Sequence, residues 1–116
     1  MTMSAPAPDT EDIEDLDPEA PEHEKVRITV HNEDDGDVYH LRARATATLE
    51  RVIDRLYERK LRRERRDDDR LGCEAGGEEV FQFEHLSFET YLAEGHCPGL
   101  VWLFVAGTGG ADDRWS

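Results

Sequence analysis

The chain has 116 residues, room for one domain with a modest core and none for a two-domain enzyme. Its formal net charge of -14, with 37% hydrophobic against 36% charged residues, disfavours a basic nucleic-acid binder and predicts that part of the chain is unfolded. No stretch approaches the roughly 18 to 20 apolar residues needed to span a bilayer, and the N-terminus lacks the basic start and apolar run of a secretory signal. A soluble, cytoplasmic protein is expected, with neither nucleic acid nor membrane as partner.

The charge is unevenly spread. Residues 1–24 hold nine acidic side chains, no Lys or Arg, and four prolines, Pro6, Pro8, Pro18 and Pro21. This composition predicts a disordered acidic tail. Ile13 and Leu16, three apart in the acidic run, have the spacing of a short helical docking motif; a solvated tail is the reading adopted, and no site is assigned there. From residue 25 to residue 110 the balance is 13 basic to 17 acidic side chains. Most of the acidity therefore lies outside the expected domain.

At Lys25 the pattern changes. Val26-Arg27-Ile28-Thr29-Val30 alternates apolar and polar residues with β-branched types, as a half-buried strand requires. Glu33-Asp34-Asp35-Gly36 supplies a turn in which Gly36 can take positive φ, and Val38 to Ala43 returns as the second strand of a hairpin. From Thr48, a candidate N-cap, Leu49, Val52, Ile53, Leu56, Tyr57 and Leu61 recur at helical spacing. The far end of this helix carries Arg59, Lys60, Arg62, Arg63, Arg65 and Arg66, which suits the helix dipole. That cluster could grip an acidic partner or the chain's own acidic tail; a solvated helix terminus is the simpler reading. Asp67-Asp68-Asp69 and Gly72 are expected to stop the helix.

Beyond a Gly- and Glu-rich loop, Val80-Phe81-Gln82-Phe83 reads as a third strand. Ser87 to Gly95 reads as irregular, with one helical turn around Tyr91 and Leu92. Leu100 to Val105, after a Pro98-Gly99 turn, reads as a closing strand apolar on both faces. A hairpin, one amphipathic helix and shorter strands predict an α+β domain over residues 25–106 in which the helix packs across a mixed sheet. A last strand running parallel beside the first, in the middle of that sheet, would explain its continuous apolar character; that arrangement is the β-grasp.

The remaining reactive side chains point to little chemistry. Cys73 and Cys97 are too few for a disulfide scaffold and are read as reduced thiols. With His85 and His96 they are zinc-ligand types, but the spacing is unlike any compact finger and adjacent His96-Cys97 would be awkward at one tetrahedral ion. No metal or cofactor is assigned. Ser87 beside His85 is most simply a polar loop, so no catalytic residue is assigned and the chain is not expected to be an enzyme.

The closing strand runs into Ala106-Gly107-Thr108-Gly109-Gly110, followed by Ala111 to Ser116. A Gly-Gly pair one short spacer after a final strand, in this order of elements, resembles ubiquitin and its relatives over about residues 25–110. The resemblance implies a protein modifier with a flexible conjugation tail at 107–110. A deubiquitinase-like protease would cleave between Gly110 and Ala111 and remove residues 111–116. The freed carboxylate would then pass through a ubiquitin-activating-like and a conjugating-like enzyme to a target protein. Glycine suits such a tail because, without Cβ, the backbone can approach a nucleotide and a catalytic cysteine closely. The relatives it suggests are bacterial modifiers of systems that resemble antiphage defence.

Ubiquitin's terminal arginines have no counterpart, since Ala106 and Thr108 stand in those places. Carried over by position from the last glycine, the ubiquitin recognition patch falls on Trp102 and Phe104, which are therefore expected to be exposed and partner-binding, together with Ala106, Gly107 and Thr108. Two other readings share the fold: a sulfur carrier ending in a thiocarboxylate, against which the residues after Gly110 argue, and a β-grasp interaction module that is never conjugated.

Overall fold

The computed structural model describes residues 13–107. Five strands form one mixed sheet: β1 (Ile13–Asp15), β2 (Lys25–Asn32), β3 (Val38–Arg44), β4 (Arg70–Cys73) and β5 (Val101–Val105), in the order β1-β3-β2-β5-β4. The hairpin β2/β3 is antiparallel, β5 runs parallel to β2, β4 antiparallel to β5, and β1 parallel to β3. The main helix, α1 (Leu49–Arg55), and a shorter one, α2 (Phe88–Ala93), complete an α+β architecture.

The hairpin forms as its residue pattern predicts. Ile28, Val30 and Asn32 of β2 and Leu41 and Ala43 of β3 are buried, while Arg27 is exposed and Thr29 and His31 are half-covered on the other face. Gly36 takes a φ of 80° in the turn, where a side chain would be strained, and the Asn32 carboxamide oxygen accepts from the Asp34 amide at 3.0 Å. The closing strand is central and parallel to β2, with Val30 opposite Trp102 and Asn32 opposite Phe104.

Thr48 caps α1, its hydroxyl accepting from the Arg51 amide at 3.4 Å. Leu49, Val52, Ile53, Leu56 and Tyr57 are buried against the sheet, Leu61 partly so. The helix does not persist to the Asp run. It widens into a π-helical segment, Leu56–Leu61, and Arg62, at a φ of 54°, ends it by donating its amide to the Tyr57 carbonyl at 2.7 Å. Among the described residues, no helix is long and apolar enough to cross a membrane.

Three expectations are corrected. Residues 13–24, assigned to a disordered tail, are folded onto the domain: β1 extends the sheet, Leu16 and Ala20 are buried, and Glu22–Glu24 forms a 3-10 turn. Their carboxylates find cations on the sheet and helix, which a charge tally along the chain does not show. The domain thus begins before residue 25; residues 1–12 lie outside the described residues. Next, Phe81–Phe83 is a 3-10 turn rather than a strand. Gly76 and Gly77, both at positive φ, fold the chain back so that the Val80 amide meets the Leu71 carbonyl at 2.7 Å, and Arg70–Cys73 takes the open edge of β5 instead. Finally, Cys73 and Cys97 are not free thiols but a disulfide with a Cα separation of 5.8 Å, both residues buried. The helical turn expected around Tyr91 and Leu92 is a short capped helix, α2, with the Ser87 hydroxyl accepting from the Thr90 amide at 3.1 Å.

Candidate functional site

The site begins where β5 leaves the sheet. Side chains alternate across a strand, so the register that sets Trp102 opposite Val30 sends Trp102 and Phe104 into the core, where they are 0% and 1% exposed. The expectation that they form an exposed, partner-binding face is therefore wrong. The ring of Phe88 stacks on Trp102 with centroids 6.1 Å apart, and Tyr57 meets Phe104 edge-on at 5.8 Å. The helix side is the thick side of the sheet, and the largest side chains fill it. Counting from Gly110 places the parity one residue out.

The outward set is Val101, Leu103 and Val105. Leu103 lies opposite His31 of β2, which in turn pairs with Val38 of β3. Val38 and Val105 are the large apolar residues left exposed among those described, at 44% and 41%. The outer face thus carries a strip of Val38, His31 and Leu103, with the imidazole between the two apolar side chains, and Val105 beside the point where the chain departs.

Two carboxylates hold that point. The Ala106 amide donates to Asp34 Oδ2 and the Gly107 amide to Asp69 Oδ1, each at 2.7 Å. Asp34 stands in the β2/β3 turn, the tip nearest the end of the parallel strand β5. Asp69 precedes β4, on the other flank, and its side chain is fully buried. Besides the Gly107 amide it accepts from the Tyr57 hydroxyl at 2.7 Å, the Arg66 amide at 2.9 Å and Arg63 Nη2 at 3.0 Å. Burial alone would raise its pKa, but the Gly107, Tyr57 and Arg66 donors and the Arg63 charge outweigh burial and hold it below the ordinary carboxylate value. Burial, reinforced by the neighbouring Asp69 charge, pushes the Tyr57 hydroxyl well above its usual range. Tyr57 therefore stays a donor.

Gly107 fits tightly as well. A Cβ there would fall on the Asp68 carboxylate, so any larger residue forces that side chain aside. Beside the tail lies an open recess of about 540 Å³ bordered by Asp35, Tyr39, Lys60, Arg63 and Arg66.

Of the residues singled out from the sequence, Ala106 and Gly107 are brought to this junction, half-buried. Thr108, Gly109, Gly110 and Ala111 lie outside the described residues. Sequence reasoning missed Asp34 and Asp69. Asp69 looked like part of a helix stop, and nothing in an Asp-Asp-Asp run tells which carboxylate turns inward. The zinc-ligand types divide differently from their reading: Cys73 and Cys97 are bonded to each other, while His96 lies between Glu94 at 2.9 Å and Glu78 at 3.0 Å and stacks on Phe83. No protein-family model matches the chain, and comparison with curated proteins and with solved structures likewise gives no match.

Proposed function

We propose that the chain is a ubiquitin-like modifier on a β-grasp domain, processed after Gly110 and joined through that carboxylate to target proteins. The observation that carries this reading is the junction at the end of β5. A central strand delivers the backbone to one exit, and Asp34 and Asp69 take hold of the two amides just before the Gly-rich sequence. The order β3-β2-β5-β4, with β5 parallel to β2 and α1 across one face, supports the β-grasp assignment.

In this reading the domain contributes an acyl donor and no catalytic group. A deubiquitinase-like protease exposes the carboxylate, an activating-like enzyme adenylates it, and a conjugating-like enzyme passes it to the target, in a bacterial system resembling antiphage defence. Because Trp102 and Phe104 are core, the partner-binding role moves to the outer strip of Val38, Leu103 and Val105 beside the exit. The reading keeps the chain in the cytoplasm. The Cys73–Cys97 bridge would then have to resist a reducing thiol pool, and the burial of both sulfurs favours that.

Intact mass of the full chain recovered from its host, or after incubation with host extract, tests the proposal. Loss of residues 111–116 followed by higher-mass adducts is expected, and Gly110→Ala should abolish the adducts. Exchange of one terminal oxygen for sulfur would identify a sulfur carrier instead. Recovery at full length with no adduct would leave an interaction module.

A further inference from the structure

Strand β1 is an unusual member of a sheet. Asp and Glu are poor strand formers, yet Glu14 and Asp15 both lie in it, and among the described residues its pairing with β3 runs from Ile13 opposite His40 to Asp15 opposite Arg42. Side chains do most of the holding. Glu14 meets Arg55 at 2.7 Å, Asp15 meets Lys25 at 2.7 Å, and Asp17 meets Arg51 at 2.8 Å while accepting the Arg44 amide at 2.9 Å. Arg51 also donates to the Leu16 carbonyl at 3.2 Å. One apolar side chain anchors the segment: Leu16, 6% exposed, enters the cluster formed by the sheet and α1. The body therefore presents the free edge of β3, an apolar socket and cations from β2 (Lys25), β3 (Arg42, 3.9 Å from Asp15) and α1 (Arg51 and Arg55), all facing one extended acidic segment.

We propose that this edge is a docking groove for an extended acidic peptide of the Ile-Glu-Asp-Leu-Asp type, that the chain's own residues 13–17 fill it in cis, and that a partner protein carrying such a segment competes for it. The proposal is independent of the modifier reading, since it uses neither the tail nor its processing. Addition of a strand to an open sheet edge supplies backbone hydrogen bonds to any sequence, and the flanking cations and the Leu socket supply selectivity. The Arg51 and Arg55 guanidiniums are partly exposed, so salt screens their pairs and each contributes little, whereas the Lys25 side chain is buried against Asp15. The segment is tethered close by, so its effective concentration is on the order of mM. Only a partner peptide richer in these features, or delivered at high local concentration, displaces it.

The test uses the full chain and a fluorescent peptide spanning residues 13–20. In the full chain, Leu16→Ser with Asp17→Asn weakens the cis segment and leaves the groove intact. Fluorescence anisotropy is expected to show saturable binding to this variant at least tenfold tighter than to the unmodified chain. Adding Arg51→Glu and Arg55→Glu should weaken that binding at least tenfold. A folded variant that fails to bind, or binding indifferent to the arginine changes, overturns the proposal. Concentration-dependent dimerisation of the variant without peptide overturns the partner form in favour of exchange between copies. Hydrogen exchange on the unmodified chain gives a second reading should the variant not fold. The Leu16 amide, bonded to the Arg42 carbonyl at 2.8 Å, is expected to exchange faster than the amides of β2, and faster still in high salt. Protection equal to β2 and insensitive to salt would make β1 a fixed strand and end the idea.

Discussion

The two ends of the domain are tied down by the same chemistry with the roles reversed. At the N-terminal end the chain brings the carboxylates, Glu14, Asp15 and Asp17, and the body answers with Arg55, Lys25 and Arg51. At the C-terminal end the body brings the carboxylates, Asp34 and Asp69, and the chain offers only backbone amides. The first arrangement reads side chains, so it is selective and screened by salt. The second reads the backbone, so it tolerates whatever side chains follow, provided position 107 stays small. Asp69, a buried acceptor with four donors, is also less sensitive to salt than the partly exposed Arg51 and Arg55 pairs.

The largest effect on this contrast should come from the bridge that braces the C-terminal flank. Replacing Cys73 and Cys97 together by Ala reopens a loop of 24 residues' separation. The chain-entropy estimate for such a loop is ~3.5 kcal/mol of lost stability, to be read from the urea midpoint, with β1 remaining docked.

Asp69→Ala comes next, at about 3 kcal/mol, because it strands the buried Tyr57 hydroxyl and the Arg63 charge. The Gly107 amide should lose its exchange protection in the same variant. The pH dependence has a definite sign. The folded-state pKa of Asp69 is lowered, so its contribution is complete above the ordinary carboxylate pKa and disappears as pH falls through the depressed folded value. The same direction holds for Asp15 and Asp17. Acid therefore loosens both ends, whereas 1 M salt should loosen only the N-terminal one, and amide exchange at Leu16 and Gly107 separates the two.

The smallest expected change is Arg55→Glu, which turns an attractive pair with Glu14 into a repulsive one. It should cost about 1 kcal/mol or less at low salt, and the difference should vanish in high salt. An equal loss in both conditions would mean that the N-terminal segment is held by packing alone.

The parts legible in the residues were those set by local pattern. The β2/β3 hairpin announces itself by alternation and Gly36, α1 by its apolar stripe and Thr48, and β5 by an apolar run suited to a central strand. What escaped depended on partners distant in the chain. Arg70 to Cys73 is a strand because the edge of β5 needs one, and no period in four residues shows it. Which face of β5 looks inward is fixed by its register against Val30, so counting from Gly110 picks the wrong face. The same limit hid Asp69, whose donors come from Tyr57, Arg63, Arg66 and Gly107, and β1, whose cations lie on three other elements.

The position of the Cys73–Cys97 bridge also has a mechanical meaning. Traction on the tail, such as a protein-unfolding motor would exert, loads β5 directly and peels it from β2 and β4 on both sides. Unravelling from that end proceeds only back to Cys97, where the covalent link transfers the load to Cys73 and leaves residues 74–96, with α2, inside a closed ring. Reducing agent should therefore change how far the chain can be drawn out from its C-terminal end.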